Sequence, residues 1–287
     1  MTAKTAYLIG ATGMLGQAFM RHCPDWVELV PLTRASIDLE NKASLQKQLE
    51  EHCSKPNSLL INCAAYTQVD QCETEVDLAY TLNAQAPEIL ASFAKAHTHH
   101  LVHFSTDYVF DGTKAGLYTE TDIPNPLNIY GKSKLAGEKA IQDSTCNAFI
   151  FRVQWLYGSP GNHFIRTILQ KAKSSPAGLQ IVNDQWGAPS WVDEIAQAVY
   201  CGLEHAIPFG LYHLANREHT TWFGLTETLL HLEGLTNPLT PVSTEAFPRP
   251  AQRPKNSQLD LTKWQNLNLP FSLSDWDIAL KKYLGIQ

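Results

Sequence analysis

A short apolar run, Thr5-Ala6-Tyr7-Leu8-Ile9, leads straight into Gly10-Ala11-Thr12-Gly13-Met14-Leu15-Gly16, and Gln17-Ala18-Phe19-Met20-Arg21 then reads as helix. No other feature narrows the fold as much. An uninterrupted apolar run of this length suits a parallel strand buried on both faces. Glycines let the backbone approach a pyrophosphate closely, and the free N–H groups and dipole of a helix N-terminus attract anions. The spacing is Gly-x-x-Gly-x-x-Gly rather than the commoner Gly-x-Gly-x-x-Gly, and a glycine turn also serves plain packing. Its place directly after the first strand makes it a candidate phosphate site for a dinucleotide.

The following segments keep the same rhythm. Residues 26–32 read as a second strand, which ends at Thr33-Arg34 with no acidic residue to hold ribose hydroxyls. Arg34 stands about where a 2′-phosphate would need a cation, which favours NADP over NAD; a solvated arginine is the alternative. Asp38-Leu39 precede a helix over 43–52. A third strand, 59–63, runs into Ala64-Ala65-Tyr66-Thr67-Gln68-Val69-Asp70. Two alanines at a strand's carboxyl end leave room for a flat ligand. A helical stretch carrying Asn83 ends near Ala96. Residues 101–105 form a fourth strand with Thr106-Asp107-Tyr108 at its end, and 146–152 form the next. Strands alternating with helices predict an α/β, Rossmann-type doubly wound parallel sheet.

Beyond Val153 the pattern loosens, and prolines punctuate short elements, among them Pro160, Pro176, Pro189, Pro208 and Pro254. That suits a smaller C-terminal substrate lobe. The strand-like 210–214 is expected to return to the main sheet. The dinucleotide-binding domain is accordingly placed at 1–152 plus about 190–215, and the lobe at about 153–189 and 216–287.

Tyr130-Gly131-Lys132-Ser133-Lys134 opens a predicted helix. Residues four apart share a helix face, so Tyr130 and Lys134 are expected to reach one space. An ammonium beside a phenol favours the phenolate, which would make Tyr130 a proton donor or acceptor nearer neutral pH. Alone, this spacing is as common on solvated helix faces.

Composition excludes several classes. A net charge of −6 without a long basic run argues against nucleic acid and anionic membrane as partners. No apolar run reaches membrane-spanning length, and the first strand begins too early to leave space for a signal peptide. Cys23, Cys53, Cys63, Cys72, Cys146 and Cys201 are scattered, without metal-site spacing, and read as reduced thiols of a cytoplasmic protein. His97, His99 and His100 read as surface residues rather than metal ligands.

With Gly10-x-x-Gly13-x-x-Gly16, Asn62-Cys63-Ala64-Ala65, Ser105-Thr106-Asp107-Tyr108 and Tyr130-x-x-x-Lys134 in this order, the chain resembles the extended short-chain dehydrogenases/reductases. Tyr66 to Glu73, Ser105 to Gly112, Pro126 to Glu138, Trp155-Leu156-Tyr157-Gly158, Asp184-Gln185-Trp186-Gly187-Ala188-Pro189 and Arg253 to Asp260 narrow the match, over nearly the whole chain, to the dTDP-4-dehydrorhamnose reductase family. The resemblance implies NADPH- or NADH-dependent reduction of a dTDP-linked 4-keto-6-deoxysugar. It implies Thr106, Tyr130 and Lys134 as catalytic residues, with Ser105 the rival of Thr106 for the ketone oxygen. Cofactor contacts are implied for Gly10, Thr12, Gly13, Met14, Leu15, Gly16, Arg34, Asp38, Leu39, Ala64, Ala65 and Tyr66, besides Tyr130 and Lys134. Substrate contacts are implied for Thr67, Val69, Thr106, Asp107, Tyr108 and Trp155, and Arg253 is a candidate for the diphosphate or for a surface ion pair.

Some positions depart from the family pattern. Gln17-Ala18 stands where some members carry a glutamate for magnesium at a dimer contact, so no metal is carried over and a homodimer stays open. Trp186 and Trp191 are bulky for their element. Another nucleotide-linked 4-ketosugar is an alternative substrate. A non-catalytic regulatory subunit, resembling the β subunit of methionine adenosyltransferase, is an alternative of another class.

Overall fold

The computed structural model describes residues 4–174 and 178–286; Pro176 lies outside them. The chain begins with β1 (Lys4–Ile9), α1 (Met14–Arg21), β2 (Val27–Leu32), α2 (Lys42–His52) and β3 (Leu59–Asn62). Two short helices, α3 (Val69–Cys72) and α4 (Val76–Tyr80), lead through a π-helical turn, Thr81–Gln85, into α5 (Ala86–Ala96). Then come β4 (His100–Thr106), α6 (Ile129–Ser144), β5 (Ala148–Val153), β6 (Leu156–Tyr157), α7 (Phe164–Ser174), β7 (Leu179–Val182), β8 (Trp186–Gly187) and β9 (Ser190–Trp191). The remainder is α8 (Val192–Glu204), β10 (Gly210–His213), β11 (Thr220–Thr221), α9 (Trp222–Leu232), β12 (Leu239–Val242), α10 (Thr262–Gln265) and α11 (Trp276–Leu284).

Six strands pair in the order β10-β5-β4-β3-β1-β2, every neighbour parallel. The chain leaves β1 toward β2 on one side and resumes at β3 on the other. The crevice outside the carboxyl ends of β1 and β3 is therefore the switch point at which such sheets bind ligands. The expected return of 210–214 to the sheet is seen as β10 on β5. Apolar strands feed a core on each face. One face packs Phe19, Phe104, Phe151, Tyr200 and Trp264 between the sheet, α1 and α8; the other packs Leu45, Leu49, Leu90, Phe93 and Ile141 under α2, α5 and α6. A further cluster gathers Ile165, Ile168, Ile181, Leu225, Leu229 and Leu280 from α7, β7, α9 and α11.

The expected helix through Asn83 is interrupted by its π turn, for which the local sequence carries no signal. There Asn83 is buried. Its amide oxygen accepts the Tyr66 N–H at 2.8 Å, and its amide nitrogen donates to the Tyr66 carbonyl and to Ser133 Oγ, both at 3.0 Å. The loop after β3 is thereby tied to α6. One of the three clustered histidines also departs from expectation. His99 is buried, its ring near-parallel to those of Phe93 and His97 at 5.4 and 6.0 Å, and accepts the Ser58 N–H.

Beneath α6 lies a buried ion pair. Arg152 on β5 reaches both Glu138 oxygens, at 2.9 and 2.7 Å, and its guanidinium covers the Phe110 ring. A buried charge is tolerated only with its partner. Glu138→Ala should therefore lower unfolding free energy by about 3–5 kcal/mol in urea titrations, whereas a loss under about 1 kcal/mol, the value of an exposed pair, would contradict this.

Candidate active site

The glycine turn works as its spacing suggests. Gly10 has φ +79°, in the left-handed region, and a Cβ there would lie 2.8 Å from the Ala64 nitrogen. Gly16 sits against the Gly10 carbonyl and has no space for a side chain. The turn delivers the chain to α1, whose cap residue Gly13 makes no side-chain hydrogen bond to the first-turn N–H groups. They are left to face a ligand.

A cavity of about 450 Å³ extends from this turn along the carboxyl edge of the sheet. Gly10, Thr12, Gly13, Met14 and Leu15 line one part, Arg34, Asp38 and Leu39 another, and Ala64, Ala65, Thr67, Ser105, Tyr130 and Lys134 the rest. The glycine cradle, the open helix end, an arginine and the elongated cavity together fit a nicotinamide dinucleotide. Arg34 is exposed and pairs with Glu40 at 2.7 Å. Two expected cofactor residues fall outside the lining. Gly16 acts one step back, by letting α1 close on the turn. Tyr66 is turned away: its backbone is held by Asn83, and its hydroxyl bonds Gln71 and Glu75.

Tyr130 and Lys134 do share one face of α6. Asn128 caps this helix by accepting the Gly131 N–H at 2.8 Å, so the tyrosine stands in its first turn. Gly131 and Gly137 allow the close fit: a Cβ would overlap the Tyr108 carbonyl oxygen at one and the Asn83 carbonyl oxygen at the other. The charge states differ from expectation. Burial pushes the Tyr130 phenol up, away from neutrality, against a smaller opposing effect of the nearby Thr106 hydroxyl. Burial also brings the Lys134 ammonium down to about 8. The amine of Lys134, 2% exposed, is engaged by the Phe104 carbonyl at 2.5 Å and lies 3.5 Å from His103 Nε2. Desolvation outweighs the anticipated lowering by lysine, and the phenol stays protonated.

Thr106 ends β4 with its hydroxyl donating to Asp107 Oδ1 at 2.9 Å and accepting the Tyr108 N–H at 3.2 Å. Its rival Ser105 lines the cavity with a hydroxyl that has no partner among the described residues. Asp107 is 2% exposed and its Oδ2 is likewise unpartnered; burial pushes its carboxyl up to about 7. Val69 opens α3, and Tyr108 lies edge-on to Tyr130 with ring centroids 5.8 Å apart.

Trp155 has φ +44° and stacks on Trp222 at 3.6 Å, with the indole pressed on Gly187. One of its ring faces is thus already covered, by a residue that no sequence signal singles out. Arg253 is two-pronged on Asp70, with Nη2 donating to Oδ2 at 2.9 Å, and also donates to the Ala251 carbonyl. It forms a partly buried latch between the loop after residue 250 and α3. Trp186 is exposed, whereas Trp191 is half-buried and packs against the core. The six cysteines are free, and no group of metal-ligating side chains occurs among the described residues. No helix among them is long and apolar enough to cross a membrane.

The model of the RmlD substrate binding domain matches residues 4–286. The chain belongs to the dTDP-4-dehydrorhamnose reductase family. It is 38% identical over 288 residues, 96% of each chain, to the dTDP-4-dehydrorhamnose reductase of Salmonella typhimurium. A crystal structure of such a reductase from Clostridium acetobutylicum superposes with a TM-score of 0.92 at 35% identity, over 98% of both chains. That of Bacillus anthracis, in complex with NADP, superposes with a TM-score of 0.91 at 32% identity, over 99% of both chains.

In this reductase, Asp107 carries a pH signature. An acid whose folded pKa is raised binds its proton longer in the native than in the unfolded state, so stability falls as pH rises through that interval. Asp107 should lower stability between about pH 4, where the unfolded carboxyl ionises, and about pH 7, where the folded one does. Asp107→Asn should match wild type in urea melts at pH 4 and exceed it at pH 8; a difference independent of pH would contradict the raised carboxyl.

Proposed function

We propose that this chain reduces the 4-keto group of dTDP-4-dehydro-L-rhamnose to give dTDP-L-rhamnose, with NADPH preferred over NADH. The observation that carries the reading is a phenol kept protonated by desolvation, Tyr130, which with Lys134 lines the same cavity that begins with the glycine turn. Reduction of a ketone creates an oxyanion, which takes a proton from an acid held at hydrogen-bond reach. When bound, the reduced nicotinamide supplies the hydride. All other parts of the chemistry belong to side chains.

The N–H groups of Met14 and Leu15 would bind the pyrophosphate, with Thr12 beside them, while the Gly13 N–H closes the turn on the Gly10 carbonyl at 3.0 Å. Arg34, together with Asp38 and Leu39, would face the adenosine ribose and its 2′-phosphate, a task suited to a guanidinium. Ala64 and Ala65 would leave space for the nicotinamide half, while Tyr66 holds that loop through its backbone. Thr106 would bond the ketone oxygen and align it. Tyr130 would then release its phenolic proton to that oxygen, and the Lys134 ammonium would stabilise the negative charge left on the phenol. Thr106 and Lys134 are buried and Tyr130 is half-buried, which limits water and strengthens these interactions.

The sugar nucleotide would belong to the lobe formed by about 153–189 and 216–287, and the dinucleotide to 1–152 and about 190–215. Trp155, backed by Trp222, would offer an apolar wall for a sugar bearing a methyl group, with Thr67, Val69, Asp107 and Tyr108 around the ring. One apolar difference discriminates by only about 1–3 kcal/mol, so polar contacts to the nucleotide must contribute. Arg253 would meet the diphosphate from its latch with Asp70. The free thiols and the cofactor requirement suit an enzyme of the cytoplasm. A regulatory subunit would have no need of Thr106, Tyr130 and Lys134 gathered beside one cofactor-sized cavity.

Tyr130→Phe keeps the ring and removes the proton. Turnover of dTDP-4-dehydro-L-rhamnose, followed by NADPH oxidation, should fall at least ~100-fold, with NADPH binding retained. Near-normal turnover would remove Tyr130 from the acid role.

A further inference from the structure

Lys134 meets a buried polar chain for which the chemistry above has no use. The chain starts at Asn62, the last residue of β3. Its Oδ1 accepts the Ala64 N–H at 3.1 Å. A backbone amide can only donate, so this bond fixes which way the Asn62 side chain is turned. The Nδ2 group must then be the atom that lies 3.2 Å from His103 Nδ1, and it too can only donate. His103 Nδ1 is consequently an acceptor. A neutral imidazole carries one proton, so that proton sits on Nε2. His103 is 1% exposed, and burial, aided by the Lys134 charge, holds its ring well below the usual range for protonation. The Nε2–H points at Lys134 Nζ, 3.5 Å away.

This polarity matters to the lysine. An ammonium has three donors and no lone pair, so at this contact it faces another donor. A neutral amine has a lone pair to accept the Nε2–H. We propose that Asn62 and His103 form a tautomer lock that favours the uncharged amine of Lys134, which makes His103 a positioning residue acting through Lys134. The proposal rests on the role given above to the Lys134 ammonium.

The surroundings leave the lock room to act. Phe104 O accepts from Lys134 in either charge state. Glu138 on α6 favours the ammonium, but its charge is opposed by Arg152 of β5. Burial keeps Tyr130 on α6, Cys63 after β3 and Cys72 on α3 protonated and neutral. Asp107, after β4, ionises about one pH unit lower than Lys134. From the π turn packed on α6 comes the uncharged Asn83.

Nuclear magnetic resonance on the full chain, labelled with nitrogen-15 in histidine and carbon-13 at the ε position of lysine, tests the lock without turnover. Signals are assigned by their loss in His103→Met and Lys134→Met. The expected result is a bare Nδ1 and a protonated Nε2 on His103, with Lys134 titrating at about 8. Asn62→Asp is the decisive variant. Its carboxylate still accepts the Ala64 N–H but now requires a proton from His103 Nδ1, so a bare Nε2 turns to Lys134. The lysine titration should then move up by about one pH unit or more, and the alkaline limb of kcat should move with it while KM for NADPH holds. His103→Met, which deletes the opposing N–H, should move both in the same direction, and it serves if Asn62→Asp does not fold. A wild-type ring protonated on Nδ1, or a lysine titration that stays put in these variants, overturns the lock. A lysine titration that moves while the kcat limb does not leaves the lock standing and refutes the role of the ammonium in turnover.

Discussion

The site depends on how closely α6 lies against the end of β4 and the π turn. Glycine at 131 and at 137 permits it, because a side chain at either would run into a backbone carbonyl. Replacement by alanine would force a shift of the kind that overpacked interiors resist. Once α6 is seated, Lys134 is buried and Tyr130 half-buried beside it, and Asn83 ties the loop after β3 to the same helix. The cavity, its depth and the charge states of its groups all follow from this contact.

Desolvation governs those charge states. It moves Tyr130 up, Lys134 down and Asp107 up, in each case toward the neutral form. A neutral phenol is what a reductase needs at the start of its cycle, because the proton must be present to be given. Beneath the site Glu138 and Arg152 form an ion pair and hold each other by two hydrogen bonds. The arrangement has a cost in stability, since buried charges of this kind contribute less than apolar packing would. It leaves a polar floor under the helix that carries Tyr130 and Lys134.

Much of this is legible in the sequence where neighbours along the chain carry the meaning. The run from Thr5 to Gly16 specifies a strand, a turn and a helix start by local rules, and the spacing of Tyr130 and Lys134 specifies a shared face. The illegible parts are pairs made across the fold. His103 meets Lys134 and Asn62, Trp222 covers Trp155, and Asp70 captures Arg253, each over long separations that periodicity does not record. The π turn at Asn83 is set by what it bonds rather than by propensity. The direction of the Tyr130 shift is hidden for a related reason: sequence shows the neighbouring lysine but not the depth of burial, and burial wins.

In the proposed reaction the cavity brings a hydride donor to the carbonyl carbon of one ketone and the acid Tyr130 to its oxygen. The most direct measurement uses NADPH deuterated at the transferring position, dTDP-4-dehydro-L-rhamnose and the purified chain, with the product analysed by nuclear magnetic resonance. The expected result is deuterium at carbon 4 of the product sugar and nowhere else on it. Cofactor left unoxidised, or deuterium at another sugar carbon, would contradict it.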